Sequence, residues 1–178
     1  MVINTYAPAS TTALQRARGT LLVHTCTRAM TGPLEWILSE ILEDTIKLQW
    51  SPQPIAPSAV RADVEWVATP GTAAAVASRL MRIPNIRFEI TEFVQGAGCD
   101  QRFSFTPDLG LYRADIDVNG DITLNEQRIR TAMDRHADSP GELRRALNQM
   151  LGAQWDAELE PFRIASDGDS VRWVHRVG

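Results

Sequence analysis

An α+β fold is predicted by three observations. Four runs of alternating or continuous apolar residues lie between residues 20 and 93, and runs of helical period follow the first and the third of them. Downstream, Asn119-Gly120 joins two further strand-like runs, the strongest short-range hairpin signal. Amphipathic helical patterns then occupy most of residues 125–162.

Residues 1–18 are polar, rich in Ser, Thr and Ala, and show no sustained period. They are expected to form a loose arm before one domain over residues 19–178. Thr20–Cys26 (TLLVHTC) is a short apolar run and reads as a buried strand. Gly32-Pro33 opens a helix over residues 34–43, because the fixed φ of proline suits a first helical turn. Leu34, Ile37, Leu38, Ile41 and Leu42 give that helix one apolar face. Ile46, Leu48 and Trp50 alternate with Lys47 and Gln49, which predicts a strand over 46–50. The loop SPQPIAP cannot be helical. Val60–Val67 alternates again, and Pro70-Gly71-Thr72 starts a helix over 72–82 that stops before Pro84. Ile86, Phe88 and Ile90 mark a strand over 86–93.

This β-α-β-β-α-β order is the ferredoxin-like split βαβ signature. It predicts one antiparallel sheet with both helices on one face and the first and third strands adjacent at its centre. Ile46, Val64 and Phe88 are expected to face the helices. Lys47, Gln49, Arg61, Asp63, Glu65, Arg87 and Glu89 are expected on the reverse face. The residues after Phe93 extend this half: strands over Arg102–Thr106, Gly110–Val118 and Asp121–Leu124 make a β-meander. Asn125 caps a helix reaching about His136, and Ser139-Pro140 opens another with Leu143, Ala146, Leu147, Met150 and Leu151 on one face. Trp155–Phe162 reads as a short acidic helix or turn, and Val171–Val177 as a last strand.

The chain has 178 residues, 44% of them hydrophobic and 22% charged, the balance of an ordinary globular domain. A net charge of -4 argues against generic binding to nucleic acid or anionic membranes. No apolar run approaches the ~18 residues of a membrane span. Cys26 and Cys99 stand far apart, in neither a zinc pattern nor a disulfide framework, and are expected to be reduced thiols. With no basic, apolar leader at the start, a cytoplasmic location is expected. Of the 18 basic residues all but Lys47 are arginine, spread along the chain among acids.

From Gly19 onward the chain carries GTLLVHTCTRAM, LEW at residues 34–36, LQWSPQP, RFEITE, FSFTPDLGLYRADIDVNGDI, LGAQWDAELEPFR and VRWVHRV. In these segments it resembles the actinobacterial DUF3145 family, over nearly all of the chain except the arm. The resemblance implies no reaction and transfers no catalytic residue. Members tend to be encoded near fatty-acid synthesis genes, so it implies a link to that metabolism and an acyl-chain-related partner.

Three constellations carry candidate chemistry. Asp115, Asp117, Asn119, Gly120, Asp121 and Glu126 match the spacing of a calcium loop, D-x-[DN]-x-[DN]-G-x5-E. The same residues also suit a hairpin turning at Asn119-Gly120. The two readings exclude each other, because a strand cannot wrap its residues around an ion; the hairpin is expected, since Pro107 and Gly110 spoil an entering helix. His24, on the first strand, is expected near Asp63 or Glu65, a pairing that would suit a general base. In the tail, Trp155, Arg172 and Arg176 are the residue types favoured as interface anchors, and an unidentified protein is the expected partner. No G-x-S-x-G, H-E-x-x-H or Gly-rich phosphate loop is present, and no cofactor is expected. The sequence thus predicts a non-catalytic cytosolic binding or regulatory module acting through a protein or small-ligand surface, against the alternative of a small hydrolase or transferase using His24 with Asp63 or Glu65.

Overall fold

The computed structural model describes residues 15–96 and 100–167. A 3-10 turn over Arg28–Met30 leads from the first strand into the first helix. The strands are β1 (Ala17–Thr27), β2 (Ser51–Pro52), β3 (Ala59–Ala68), β4 (Arg87–Val94), β5 (Asp100–Thr106), β6 (Gly110–Ile116) and β7 (Ile122–Thr123). The helices are α1 (Thr31–Leu42), α2 (Thr72–Leu80), α3 (Glu126–Arg135), α4 (Pro140–Met150) and α5 (Ala153–Asp167). All seven strands form one antiparallel sheet, ordered β2-β3-β1-β4-β5-β6-β7. The first strand is therefore interior, between β3 and β4.

Alternation assigns the two faces of the sheet. Leu21, Val23, Ala62, Trp66, Phe88, Ile90, Phe103 and Phe105 share one core with Leu34 and Leu38 of α1 and with Val76, Ala77 and Leu80 of α2. Phe88 and Phe105, cross-strand partners, stack with ring centroids 5.5 Å apart. Trp66 lies over Gly19 so closely that a Cβ there would stand 2.4 Å from the indole, which only glycine avoids. The N-terminus of α2 is tied to the same core by Glu92, whose carboxylate accepts from the amides of Gly71 and Ala73 at 2.7 and 2.8 Å. A carboxylate suits that end of a helix because it meets the free amides and the positive end of the dipole.

The structure departs from the expected elements in four places. Residues 46–50 form no strand, and the ladder to β3 begins only at Ser51. The cause lies in α1. Ser39 Oγ accepts from the Ile46 amide, and the Glu35 carboxylate accepts from the Leu48 amide, Trp50 Nε1 and Lys47 Nζ. Backbone donors that would build a ladder are taken by the helix. The first strand begins at Ala17, inside the expected arm, because Ala17 and Arg18 are already paired with both β3 and β4. The hairpin strands are shorter than expected, ending at Ile116 and Thr123. The acidic segment after Gly152 is a fifteen-residue helix, α5, which continues through Pro161. The expected last strand over residues 171–177 lies outside the described residues.

Candidate functional site: a charge cluster beneath the last helix

The reverse face of the sheet is covered at one end by α5, and charges line the join. His24 enters from β1, where the register shifts between Val23 and Cys26. Such a bulge re-aims side chains locally. Glu89 comes from β4, Arg102 and Ser104 from β5, and Asp156 and Arg163 from α5. Asp156, Leu159 and Arg163 recur at three and four, so α5 presents them on one face.

Glu89 is the hub, its side chain only 4% exposed. Its Oε1 accepts from Arg102 Nη2 at 2.5 Å, Arg163 Nη2 at 2.6 Å and Ser104 Oγ at 3.3 Å. Its Oε2 accepts from Arg163 Nε at 2.9 Å and lies 2.8 Å from His24 Nε2. Asp156 Oδ1 accepts from the same two arginines, at 2.9 and 2.8 Å. Beside the cluster, Arg87 Nε donates to Glu158 Oε1 at 3.0 Å, and its guanidinium lies 5.1 Å from the Phe162 ring centre.

Burial pushes the Glu89 carboxyl up, but the hydrogen bonds from His24 and Arg163 and the charges of His24 and Arg102 overrule it. They hold it well below the ordinary carboxylate range. Burial likewise pulls Arg163 down, and the carboxylate of Glu89 more than reverses that. A carboxylate offers about four lone-pair positions, and this one meets five donor atoms. It has no free lone pair with which to take a proton from a substrate. The arrangement is a clasp between α5 and the sheet.

The clasp also decides the fate of the sequence candidates. His24 meets Glu89. Asp63 and Glu65 stay exposed on β3, in register with Leu22 and Thr20. Arg102 and Arg163, which complete the cluster, went unrecognised in the sequence. The signal that could have found them was the alternation RFEITE, which puts Glu89 on the His24 face and leaves a buried acid in need of cations.

The loop of Asp115, Asp117, Asn119, Asp121 and Glu126 is a hairpin turn followed by α3. Asp117 Oδ1 accepts from the amides of Asn119 and Asp121, so its carboxylate builds the turn. Asp115 pairs with Arg113 and Glu126 with Arg130. Among the described residues no three His, Cys, Asp or Glu side chains converge to hold a metal ion. Trp155 does not project as an anchor. Its Nε1 donates to the Gly110 carbonyl at 2.9 Å, and its ring stacks on Tyr112 at 5.0 Å. Arg172 and Arg176 lie outside the described residues. A cleft of about 140 Å³ lies between the β6–β7 hairpin and α3, bordered by Tyr112, Asp115, Thr123, Arg128 and Met150. It is smaller than the ~300 Å³ at which ligand pockets begin.

Fold and site together define an α+β protein whose sheet carries helices on both faces, one of them held by a buried ion cluster. The chain belongs to the DUF3145 family, described as a protein of unknown function, whose family model matches residues 20–176. No curated protein and no solved structure matches it. No helix among the described residues is long and apolar enough to cross a membrane.

Proposed function

We propose that the protein is a non-catalytic cytosolic binding or regulatory module of actinobacteria, built on a ferredoxin-like half and acting by contact with a protein partner. Trp36 carries this reading. It projects from α1, on the outer side of the helix layer, and is 66% exposed. Its indole N–H has no hydrogen-bond partner among the described residues. Tryptophan left in water on a regular helix is costly in apolar area, and it is the residue type most favoured as an interface anchor. The saturated state of Glu89 supports the non-catalytic side, because the histidine–carboxylate pair is already spent on holding α5. The strand order β2-β3-β1-β4 supports the ferredoxin-like half. The link to fatty-acid metabolism, and with it an acyl-chain-related partner, rests on the family resemblance alone.

The test is affinity capture from native cytosol with the full chain and with Trp36→Ala. Loss of a specific captured protein, with an unchanged melting curve, supports the reading. Capture that survives Trp36→Ala overturns the assigned surface. An esterase or transferase turnover abolished by His24→Ala overturns the non-catalytic reading.

A further inference from the structure

The helix α5 covers only part of the reverse sheet face. Its polar anchors are Glu89 and Arg87 on β4, Arg102 on β5 and the Gly110 carbonyl at the start of β6. Toward the other end of β1 the face carries a row across three strands. Arg18 on β1 stands in register with Val67 on β3 and with Phe93 on β4. One step along, Glu65 stands in register with Thr20, and a further step brings Asp63 opposite Leu22.

Arg18, Asp63, Glu65 and Val67 are all exposed, Val67 at 61%. None of the three charges has an ion-pair or hydrogen-bond partner among the described residues. Among the described residues this part of the face shows an apolar residue in the open, Arg18 without a partner, and Glu65 and Asp63 without partners one and two steps away. Nucleic acid and anionic lipid fit it poorly, because Asp63 and Glu65 stand exposed beside Arg18. What does fit is the same face presented again. A two-fold axis in the plane of contact, midway between Arg18 and Glu65, sets each arginine over the other copy's glutamate. Two such contacts form at once, which is the reciprocity an isologous interface requires. Face-to-face sheets pack about 10 Å apart, a gap that an arginine and a glutamate bridge together.

We propose that the chain self-associates as a two-fold dimer through this half of the sheet, which no described residue covers, with Arg18 of each copy paired to Glu65 of the partner subunit around Val67. The surface is distinct from the helix layer that carries Trp36, so the two readings fail separately.

Sedimentation equilibrium of the full chain tests it, reading mass against the 19.8 kDa of one copy. A concentration-dependent mass approaching twice that value is expected for the native protein. Arg18→Glu alone, and Glu65→Arg alone, are each expected to weaken self-association by roughly thirtyfold or more, as for a buried interfacial charge pair set against itself. The double variant Arg18→Glu/Glu65→Arg restores the dimer, because the swapped charges meet again. Both sites are exposed, so the folded monomer tolerates the changes and circular dichroism checks that it does. A native protein that stays monomeric up to its solubility limit overturns the proposal. So does a dimer indifferent to Arg18→Glu, or a double variant no better than the singles. If the single variants lower the melting temperature without changing the mass, the face is covered from within the same chain and the proposal also fails.

Discussion

Arg163 grips Glu89 as a fork: Nε reaches one carboxylate oxygen at 2.9 Å and Nη2 the other at 2.6 Å. The two residues are 74 positions apart, one on α5 and one on β4, the middle strand of the sheet. A planar guanidinium matches a carboxylate in this way and an ammonium does not. The fork makes the attachment of α5 directional as well as strong.

Glu89→Gln is therefore expected to destabilise the fold by roughly 3–5 kcal/mol, the cost of removing one member of a buried ion group and stranding the others. Arg163→Lys keeps the charge but loses the fork, and a smaller loss is expected. Urea unfolding at neutral pH measures both. A Glu89→Gln protein as stable as the native one would show that the cluster contributes nothing net.

The same carboxylate sets an acid limit. Its folded-state pKa lies below its unfolded value, so its contribution is fully present above the ordinary glutamate pKa of about 4.3 and is lost as pH falls below it. The native protein is expected to lose stability steeply between about pH 4.3 and lower values. Glu89→Gln should show a shallower loss over that window. Parallel acid titrations of the two proteins mean that other carboxylates control the transition.

Calcium is expected to leave the protein unchanged. The acceptors of Asp117 are committed to the turn, Asp115 is paired with Arg113 of its own strand, and Glu126 is paired with Arg130 of its own helix. Isothermal titration should show no micromolar binding. A heat signal abolished by Glu126→Gln would mean that the hairpin rearranges around the ion.

Cys26 is expected to resist thiol reagents. It is buried on β1, and burial pushes its thiol up to about 11, so little thiolate exists at pH 8. In a Cys99→Ser background, labelling should be slow until denaturant is added. Rapid labelling of the folded protein would show that β1 opens locally.

Much of the fold was legible because most strands carry one apolar side. Val60–Val67 and Ile86–Ile90 alternate cleanly, and both are strands in the sheet. Where the pattern misled, a side chain outbid the ladder. Ile46, Leu48 and Trp50 alternate as a strand should, yet Glu35 and Ser39 of α1 bind their donors. No local pattern reports that competition, because it depends on where the helix lies. The candidate site was half legible for the same reason. Alternation placed His24 and Glu89, but their cations come from β5 and from the far end of the chain. Trp155 looked like an anchor because its partners, Tyr112 and the Gly110 carbonyl, are more than 40 residues away in sequence.

The position of β1 has a consequence during synthesis. It is made before the other described strands, yet it is hydrogen-bonded on both sides in the finished sheet. His24 must wait 65 residues for Glu89 to emerge. Until then TLLVHTC is an apolar strand with an edge left open, because β3 can cover only one side of it, the kind of segment that chaperones hold and that aggregation recruits. A translational pause that holds residues 87–94 inside the ribosome would lengthen that exposure, and one placed after they have emerged would not.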